Sequence, residues 1–481
     1  MDDSLLSTST AFDAGSAAPV LPLTRAAQAT LAEQLAQRLA ERIEQRLLAP
    51  GARLPSVRDS AKTQRVSPST VVAAYDLLQA RGLVEARPQR GFFVRAPRPE
   101  APRAAAAPAR PAPVDATALI RSMFQARDGV PSPGMGTLPP DWLDAPLLQR
   151  ALRRAAAASN AQSWLSYGDP AGSAALRRAL SQRLADIGVP VAPDQVVTTI
   201  GATHALDLVS RTLLQPGDAV LVDEPGWAVE FARLTRAGLR LLPVPRRADG
   251  PDLAVMEALL LAHKPRLYVT VSVLHNPTGA SLAPAAAHQV LRLAEQHGLT
   301  IVEDDTYAWL APPHATRLSQ LDGLRRTVYV SGFSKILTPQ WRIGYLAASP
   351  ALTQRLVDTK LLSTLTTPSP LEEALALCLE QGALRRHADR VIDQLAAART
   401  RAERLVQQAG WRFASPPQGL FGWVDTGQDT DRLAQRLLDA GCLTAPGSLF
   451  HARARPTTLM RLNFAVAQDP RFWRVLRACS V

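Results

Sequence analysis

The sequence predicts two folded parts: a small α+β head over residues 23–95, with a helix–turn–helix and a two-stranded wing, and an α/β body over 117–481 built on a mainly parallel sheet. Three observations predict it. Ala96–Pro113 holds six prolines in eighteen residues, a composition that sustains neither a helix nor an interior strand, so 96–116 is expected to be a semi-rigid spacer. Before the spacer, apolar residues recur at helical spacing; after it, short apolar runs alternate with longer amphipathic stretches. Finally, 481 residues exceed one typical domain.

Residues 1–22, rich in Ser, Thr and Ala and without pattern, are expected to form a mobile arm. In the head, Leu31, Leu35, Leu39, Ile43 and Leu47 step along one helix face, and Pro50-Gly51 ends that helix. Ser56 is placed to cap a short helix running to about Thr63. Ser67 is the expected N-cap of a third helix, with Pro68 at its first position and Tyr75 and Leu78 on its apolar side. Gly82-Leu83-Val84-Glu85 and Gly91-Phe92-Phe93-Val94 flank Arg87-Pro88-Gln89-Arg90 and predict a wing with a basic tip. Helix, helix–turn–helix and basic wing together point to a reader of the DNA major groove. Charge agrees: of a net +12, Val20–Ala96 carries 12 Lys/Arg against 6 Asp/Glu.

In the body the clearest strands are 196–200, 219–222, 267–271 and 300–302. Only four of the 54 basic residues are lysines: Lys62, Lys264, Lys335 and Lys360. A chain that writes arginine elsewhere keeps lysine where it needs a primary amine, since guanidinium forms no Schiff base. Lys335 follows Ser331 and Ser334 and precedes Arg342, which gives an amine for an aldehyde together with hydroxyls and a cation for a phosphate. That is the requirement of pyridoxal 5'-phosphate. Gly201-Ala202-Thr203 follows a strand and opens a helix, so its N–H groups and the Thr203 hydroxyl suit an anion. Trp227 follows the next strand, either to stack on a ring or to fill the core. Asn276, in His275-Asn276-Pro277-Thr278-Gly279, can donate to a phenolate oxygen. In Glu303-Asp304-Asp305-Thr306-Tyr307 a carboxylate at a strand end can keep a pyridine nitrogen protonated; Asp304 is assigned, with Asp305 as competitor and Tyr307 as a second phenolate donor.

The head resembles the GntR-type winged helix in Pro50-Gly51-x-Arg53-Leu54-Pro55-Ser56-x-Arg58, in Val66-Ser67-x-Ser69-Thr70-Val71-x-x-Ala74-Tyr75, and in the Gly82-Leu83-Val84 that leads into the wing. The resemblance implies that Arg53 and Arg58 contact phosphates, that Ser69 and Thr70 face the groove with Ser67 at the head of their helix, and that Arg90 with Gly91 places the wing on the minor groove. Pro68 stands where many relatives carry arginine. The body resembles a fold type I pyridoxal phosphate-dependent aminotransferase. By that resemblance Trp227 stacks on the ring, Lys335 carries the cofactor as a Schiff base, and Ser334 and Arg342 hold the phosphate. Arg461, in Met460-Arg461-Leu462-Asn463-Phe464, grips a substrate α-carboxylate. Tyr167 crosses a homodimer interface to the partner's phosphate. Gly332 stands where many members carry a hydroxyl, so Ser331 substitutes or one phosphate contact is lost.

Head, spacer and body together resemble the MocR subgroup of bacterial transcription regulators. The implied function is a cofactor-dependent regulator that binds operator DNA and senses a small amine or amino acid; a working aminotransferase that carries a DNA-binding head is the alternative. Three scattered cysteines show no pairing, so neither a disulfide framework nor a metal site is expected. No apolar run reaches membrane-spanning length, and the chain is expected to be cytoplasmic.

Overall fold

The computed structural model describes residues 29–44, 48, 52–87, 91–95, 131–158, 165–453 and 455–479. The expected arm 1–22, the spacer 96–116 and Arg90 at the wing tip lie outside the described residues. The chain divides into two compact units, Met1–Ala109 and Arg110–Val481.

In the first unit, α1 (Leu31–Glu44) buries Leu35, Ala36 and Ala40, with Leu39 and Ile43 half-buried beside them. Of the rest of the helix expected to run to Leu48, residues 45–47 lie outside the described set and Leu48 is a bend. Ser56 Oγ accepts from Asp59 N at 3.2 Å and starts α2 (Val57–Gln64), as its sequence position predicts. Ser67 Oγ accepts from Thr70 N at 3.2 Å and starts α3 (Pro68–Ala80), with Pro68 at the first position. The fully buried Tyr75 of α3 donates its hydroxyl to the Pro55 carbonyl at 2.9 Å. That bond ties the turn before α2 to α3 and so fixes how the two helices cross. The wing pairs β1 (Val84–Arg87) with β2 (Gly91–Val94), antiparallel, with Val84 opposite Val94. Leu54 N donates to Phe92 O at 2.8 Å and Val94 N to Ala52 O at 2.9 Å, which laces the wing to the segment carrying Arg53.

The second unit is built on seven strands: β3 (Val196–Thr199), β4 (Ala219–Glu224), β5 (Arg240–Pro245), β6 (Leu267–Thr270), β7 (Thr300–Asp304), β8 (Thr327–Gly332) and β9 (Gly344–Ala347). Their order is β3-β9-β8-β7-β6-β4-β5, and only β9 runs against its neighbours. Strands β3, β6, β8 and β9 are buried at every position, as strands covered by helices on both faces are, and their few polar members are the small hydroxyls Thr198, Thr199, Thr270, Thr327 and Ser331. The predicted strand 267–271 stops at Thr270, since Val271 N leaves the ladder for Asp223 Oδ2 at 3.3 Å. The predicted 300–302 runs on to Asp304, which carries two acidic residues to the end of β7. A second, antiparallel sheet joins β10 (Arg412–Phe413), β11 (Phe421–Asp425), β12 (Ala445–Pro446) and β13 (Leu459–Asn463) in the order β10-β11-β13-β12.

Candidate functional site

The residues singled out in the body gather where an open α/β sheet places ligands, at the carboxyl ends of its strands. Gly201 follows β3, Trp227 follows β4, Asn276 follows β6, Asp304 ends β7, and Lys335 follows β8. Arg461 reaches the same place from β13 of the second sheet.

Gly201 opens the helix Gly201–Leu213 at φ +77°, a conformation suited to glycine. A Cβ there would lie 2.7 Å from Arg342 Nη2, and one on Gly344 would run into the Gly201 backbone. The turn is therefore a cradle that only a side-chain-free backbone can form, with a guanidinium on its rim. Ala202 and Thr203 are half-buried in its first turn. Arg342 Nη2 also reaches Ile200 O at 3.4 Å. Such a turn, at a helix N-terminus without a side-chain cap, fits a phosphate. Ser334 lies half-buried beside Lys335. Ser331 is fully buried and donates its hydroxyl to Asp305 O at 2.7 Å. A Cβ on Gly332 would approach Ile343 O at 3.3 Å and Ala202 N at 3.5 Å.

Lys335 Nζ donates to Gly136 O at 2.7 Å. Burial lowers its pKa to about 8; the Arg461 and Arg342 charges add to the drop and Asp304 opposes it. Asp304 Oδ1 accepts from Thr306 N at 3.0 Å and from the Thr306 hydroxyl. Burial raises the Asp304 pKa to about 6 against those bonds, and the Glu230 and Asp305 charges add to the rise. Asp305, the competitor, is committed elsewhere: its Oδ2 meets Arg317 Nε at 2.6 Å and the Tyr329 hydroxyl at 2.8 Å, with Asp305 and Arg317 wholly buried. Asp304 instead lines a pocket with Trp227, the N-cap residue of the helix Ala228–Arg236.

Arg461 Nη1 donates to Asn276 Oδ1 at 2.9 Å and Nη2 to Gly134 O at 2.6 Å. Its guanidinium lies over the Phe421 ring at 4.3 Å and the Phe450 ring at 5.1 Å, and its Nε is buried with no partner among the described residues. Burial pulls its pKa down to about 10. Tyr307, raised by burial, is hydrogen-bonded to the Asn276 side chain and packs edge-on against Phe421. Tyr167 is 82 % exposed.

Sequence reasoning missed the strap Pro131–Leu138 across this site. Gly134 and Gly136 offer their carbonyls to Arg461 and Lys335, and Asn463 Nδ2 holds the Met135 and Thr137 carbonyls at 3.0 and 2.7 Å. The one signal in the sequence is Pro131-Ser132-Pro133-Gly134-Met135-Gly136, which reads as a turn and names no partner. The buried Glu230 on the pocket wall was missed as well.

In the head, Arg53, Arg58, Ser67 and Ser69 are exposed and Thr70 is half-buried. A Cβ on Gly91 would meet Arg53 Nε at 3.5 Å, so Arg53 lies against the start of β2. The Ser67 hydroxyl is shared among Ser69 Oγ (2.8 Å), Thr70 Oγ1 (2.7 Å) and Thr70 N. It caps α3 and orders the first turn, which carries Ser69 and Thr70.

A cradle, a buried amine and a carboxylate at the ends of this sheet's strands, with a buried arginine from the second sheet, agree with the class: residues 135–478 match the family Aminotransferase class I and II. Residues 31–94 match the gntR family of bacterial regulatory proteins. The HTH-type transcriptional regulator YdcR of Escherichia coli, itself uncharacterised, is 32 % identical over 447 residues, 90 % of this chain and 94 % of that one. TauR, an HTH-type transcriptional regulator of Rhodobacter capsulatus, is 30 % identical over 433 residues, 84 % of this chain and 86 % of that one. The crystal structure of LysN, the α-aminoadipate aminotransferase of Thermus thermophilus complexed with N-(5'-phosphopyridoxyl)-L-leucine, superposes with a TM-score of 0.68 at 25 % identity, covering 74 % of this chain and 95 % of that one. The chain belongs to the gntR family of bacterial regulators in its MocR-type architecture, a winged helix joined to a fold type I aminotransferase domain. Its cofactor is pyridoxal 5'-phosphate, and the cradle and the buried amine fit that group. It is a pyridoxal phosphate-dependent DNA-binding regulator.

Proposed function

We propose that this regulator senses a small amine or amino acid through a Schiff base at Lys335, and that occupancy of the pocket alters how the winged helix binds operator DNA. Bound pyridoxal phosphate supplies an aldehyde that captures amines and a ring that can accept electrons. The chain's own residues do the rest. The Gly201–Thr203 turn, with Ala202 and Thr203, holds the phosphate together with Ser334 and Arg342. Trp227 covers the ring, Asn276 and Tyr307 meet its phenolate oxygen, and Asp304 keeps its nitrogen protonated. Arg461 turns from Asn276 and Gly134 to the carboxylate of an amino-acid effector. The observation that carries the reading is the Lys335 amine, lowered to about 8 between Arg461 and Asp304, which leaves a usable fraction neutral near physiological pH.

The phosphate site is completed by the partner subunit's Tyr167 in a homodimer. Leu165 and Tyr167, two residues apart, are 83 % and 82 % exposed, which leaves Tyr167 free to reach a second copy of the chain. In the head, Arg53 and Arg58 neutralise phosphates, Ser69 and Thr70 enter the major groove, and Gly91 with Arg90 carries the wing to the minor groove. Among the described residues no helix is long and apolar enough to cross a membrane, and an operator-binding protein works in the bacterial cytoplasm.

A working aminotransferase is the second reading, favoured by the joint presence of Lys335, Asp304 and Arg461. The experiment is a screen of amino acids and amines on the purified chain, following the visible spectrum, oxo-acid release and operator affinity together. A regulator changes spectrum and affinity with few ligands and releases oxo-acid slowly. Rapid multiple turnover with ligand-indifferent DNA binding supports the enzyme instead.

A further inference from the structure

The pocket that Asp304 shares with Trp227 has another carboxylate on its wall. Glu230, one turn into the helix Ala228–Arg236, lines the same space and is 4 % exposed. A buried carboxylate is costly without a partner, and here the partner is a fork: Arg233 Nε reaches Glu230 Oε2 at 3.0 Å and Nη2 reaches Oε1 at 2.6 Å. Arg233 Nη1 also meets Asp207 Oδ1 at 3.3 Å, and Asp207 Oδ2 meets Arg211 Nε at 2.7 Å. Burial opposes the Arg233 charge, and Glu230 and Asp207 outweigh it.

These four groups form a row of alternating charge from the surface to the pocket. Its outer end, Arg211, is 65 % exposed and screened by water, whereas its inner end is a buried carboxylate. The field that the row projects on the pocket is therefore negative. Of the other charges around Asp304, Asp305 adds to its raised pKa as well, after Glu230, and the rest are matched or stand apart. Asp305 pairs its Oδ2 with Arg317, and Asp223 is bound by Arg246 at 2.9 Å, by Tyr268 and by Thr270. His275 is held well below its usual range by burial. Lys335, Arg461 and Tyr307 face Asp304 from the catalytic side.

We infer that Glu230 is a positioning residue for the cofactor: by placing a second negative charge on the wall that carries Asp304, it strengthens the hold of Asp304 on a protonated ring nitrogen. The inference rests on the reading that Asp304 meets that nitrogen. Glu230 touches neither amine nor substrate and acts only through Asp304. The like-charge contribution of Glu230 to the raised Asp304 pKa agrees with it. A ring whose proton is held this firmly is the stronger electron sink, so the same residue makes the pocket competent for chemistry beyond amine capture.

The test compares two ligands on the full-length apo protein: pyridoxal phosphate, and its carbocyclic analogue in which CH replaces the ring nitrogen. The wild type should prefer the nitrogen-bearing ring. Glu230→Gln keeps the volume and an oxygen for Arg233 but removes the charge, and it should lower that preference about tenfold, the equivalent of one pKa unit. Glu230→Ala, of different volume, should lower it by the same factor. If Glu230 only staples two helices through Arg233, both affinities fall together and their ratio stays put, which overturns the inference. A wild type that binds both rings equally overturns the role of Asp304, and a wild type that binds neither overturns the reading of the pocket itself.

Discussion

Replacing Arg461 with leucine should slow cofactor capture in a way that pH can undo. Free Lys335 must be neutral to attack an aldehyde, and its pKa lies at about 8 instead of the ordinary 10.5. At pH 7.5 a pKa of about 8 leaves roughly a quarter of the amine neutral, against about 0.1 % at the ordinary value. Burial is the first cause of the drop and the Arg461 charge the second. If removing that guanidinium restores about one unit, the neutral fraction at pH 7.5 falls roughly eightfold, to about 3 %. The assay is the rise of visible absorbance when apo protein is mixed with pyridoxal phosphate at pH 6 to 10. The rate should have its midpoint near 8 in the wild type and near 9 in Arg461→Leu, and the two should converge at about pH 10. A wild-type midpoint above 10, or an unmoved midpoint in Arg461→Leu with cofactor still captured, would refute the reasoning.

Gly201→Val puts a side chain where Arg342 Nη2 stands 2.7 Å away, on a backbone at φ +77°, so cofactor affinity measured by equilibrium titration should fall at least about a hundredfold while the head still binds DNA. Arg58→Ala should weaken binding to every duplex alike and reduce the salt slope by about 1, measured by fluorescence anisotropy; a change confined to one sequence would argue for base readout instead. Lys360 is fully buried, with Thr198 and Thr367 hydroxyls 3.5 and 3.4 Å away, and burial depresses its pKa to about 8. For a depressed group the stability contribution is present above the unfolded pKa of 10.5 and is lost as pH falls through 8, so between those values the apo wild type should gain on the order of 2–3 kcal/mol from this group as pH rises. Lys360→Met should flatten that part of the chemical-denaturation profile, and an unchanged slope would locate the titrating group elsewhere.

What could be read from the sequence was whatever local chemistry decides. Ser56 and Ser67 announce their helices because a hydroxyl before a helical run has one dominant use, and both cap as expected. Lys335 stands out as one of four lysines and Asp304 as a carboxylate at a strand end, whereas Arg461, 126 positions beyond Lys335, was marked by the family resemblance alone. Asp304 was assigned from the sequence, but what occupies its competitor was not legible there, because only tertiary packing brings Arg317 and Tyr329 to Asp305. The same holds for Ser331, whose hydroxyl is claimed by the carbonyl of Asp305, just past the neighbouring strand. The strap was hidden for another reason: it works through the backbone carbonyls of Gly134 and Gly136, which every residue possesses. Glu230 could not be told from any helix-surface glutamate until the pocket behind it was visible.

The central claim is that the pocket and the head are coupled through a ligand captured at Lys335. It is tested most directly by measuring the affinity of the full-length holoprotein for DNA from upstream of its own and neighbouring genes, with and without each amine that changes its visible spectrum, in the wild type and in Lys335→Ala. A ligand shifts a conformational equilibrium only by its differential affinity for the two states, so a true effector should change operator affinity at least about fivefold in the wild type. The same ligand should leave Lys335→Ala unmoved. Operator binding that stays the same with every spectrally active amine, or that responds equally in Lys335→Ala, would contradict the account.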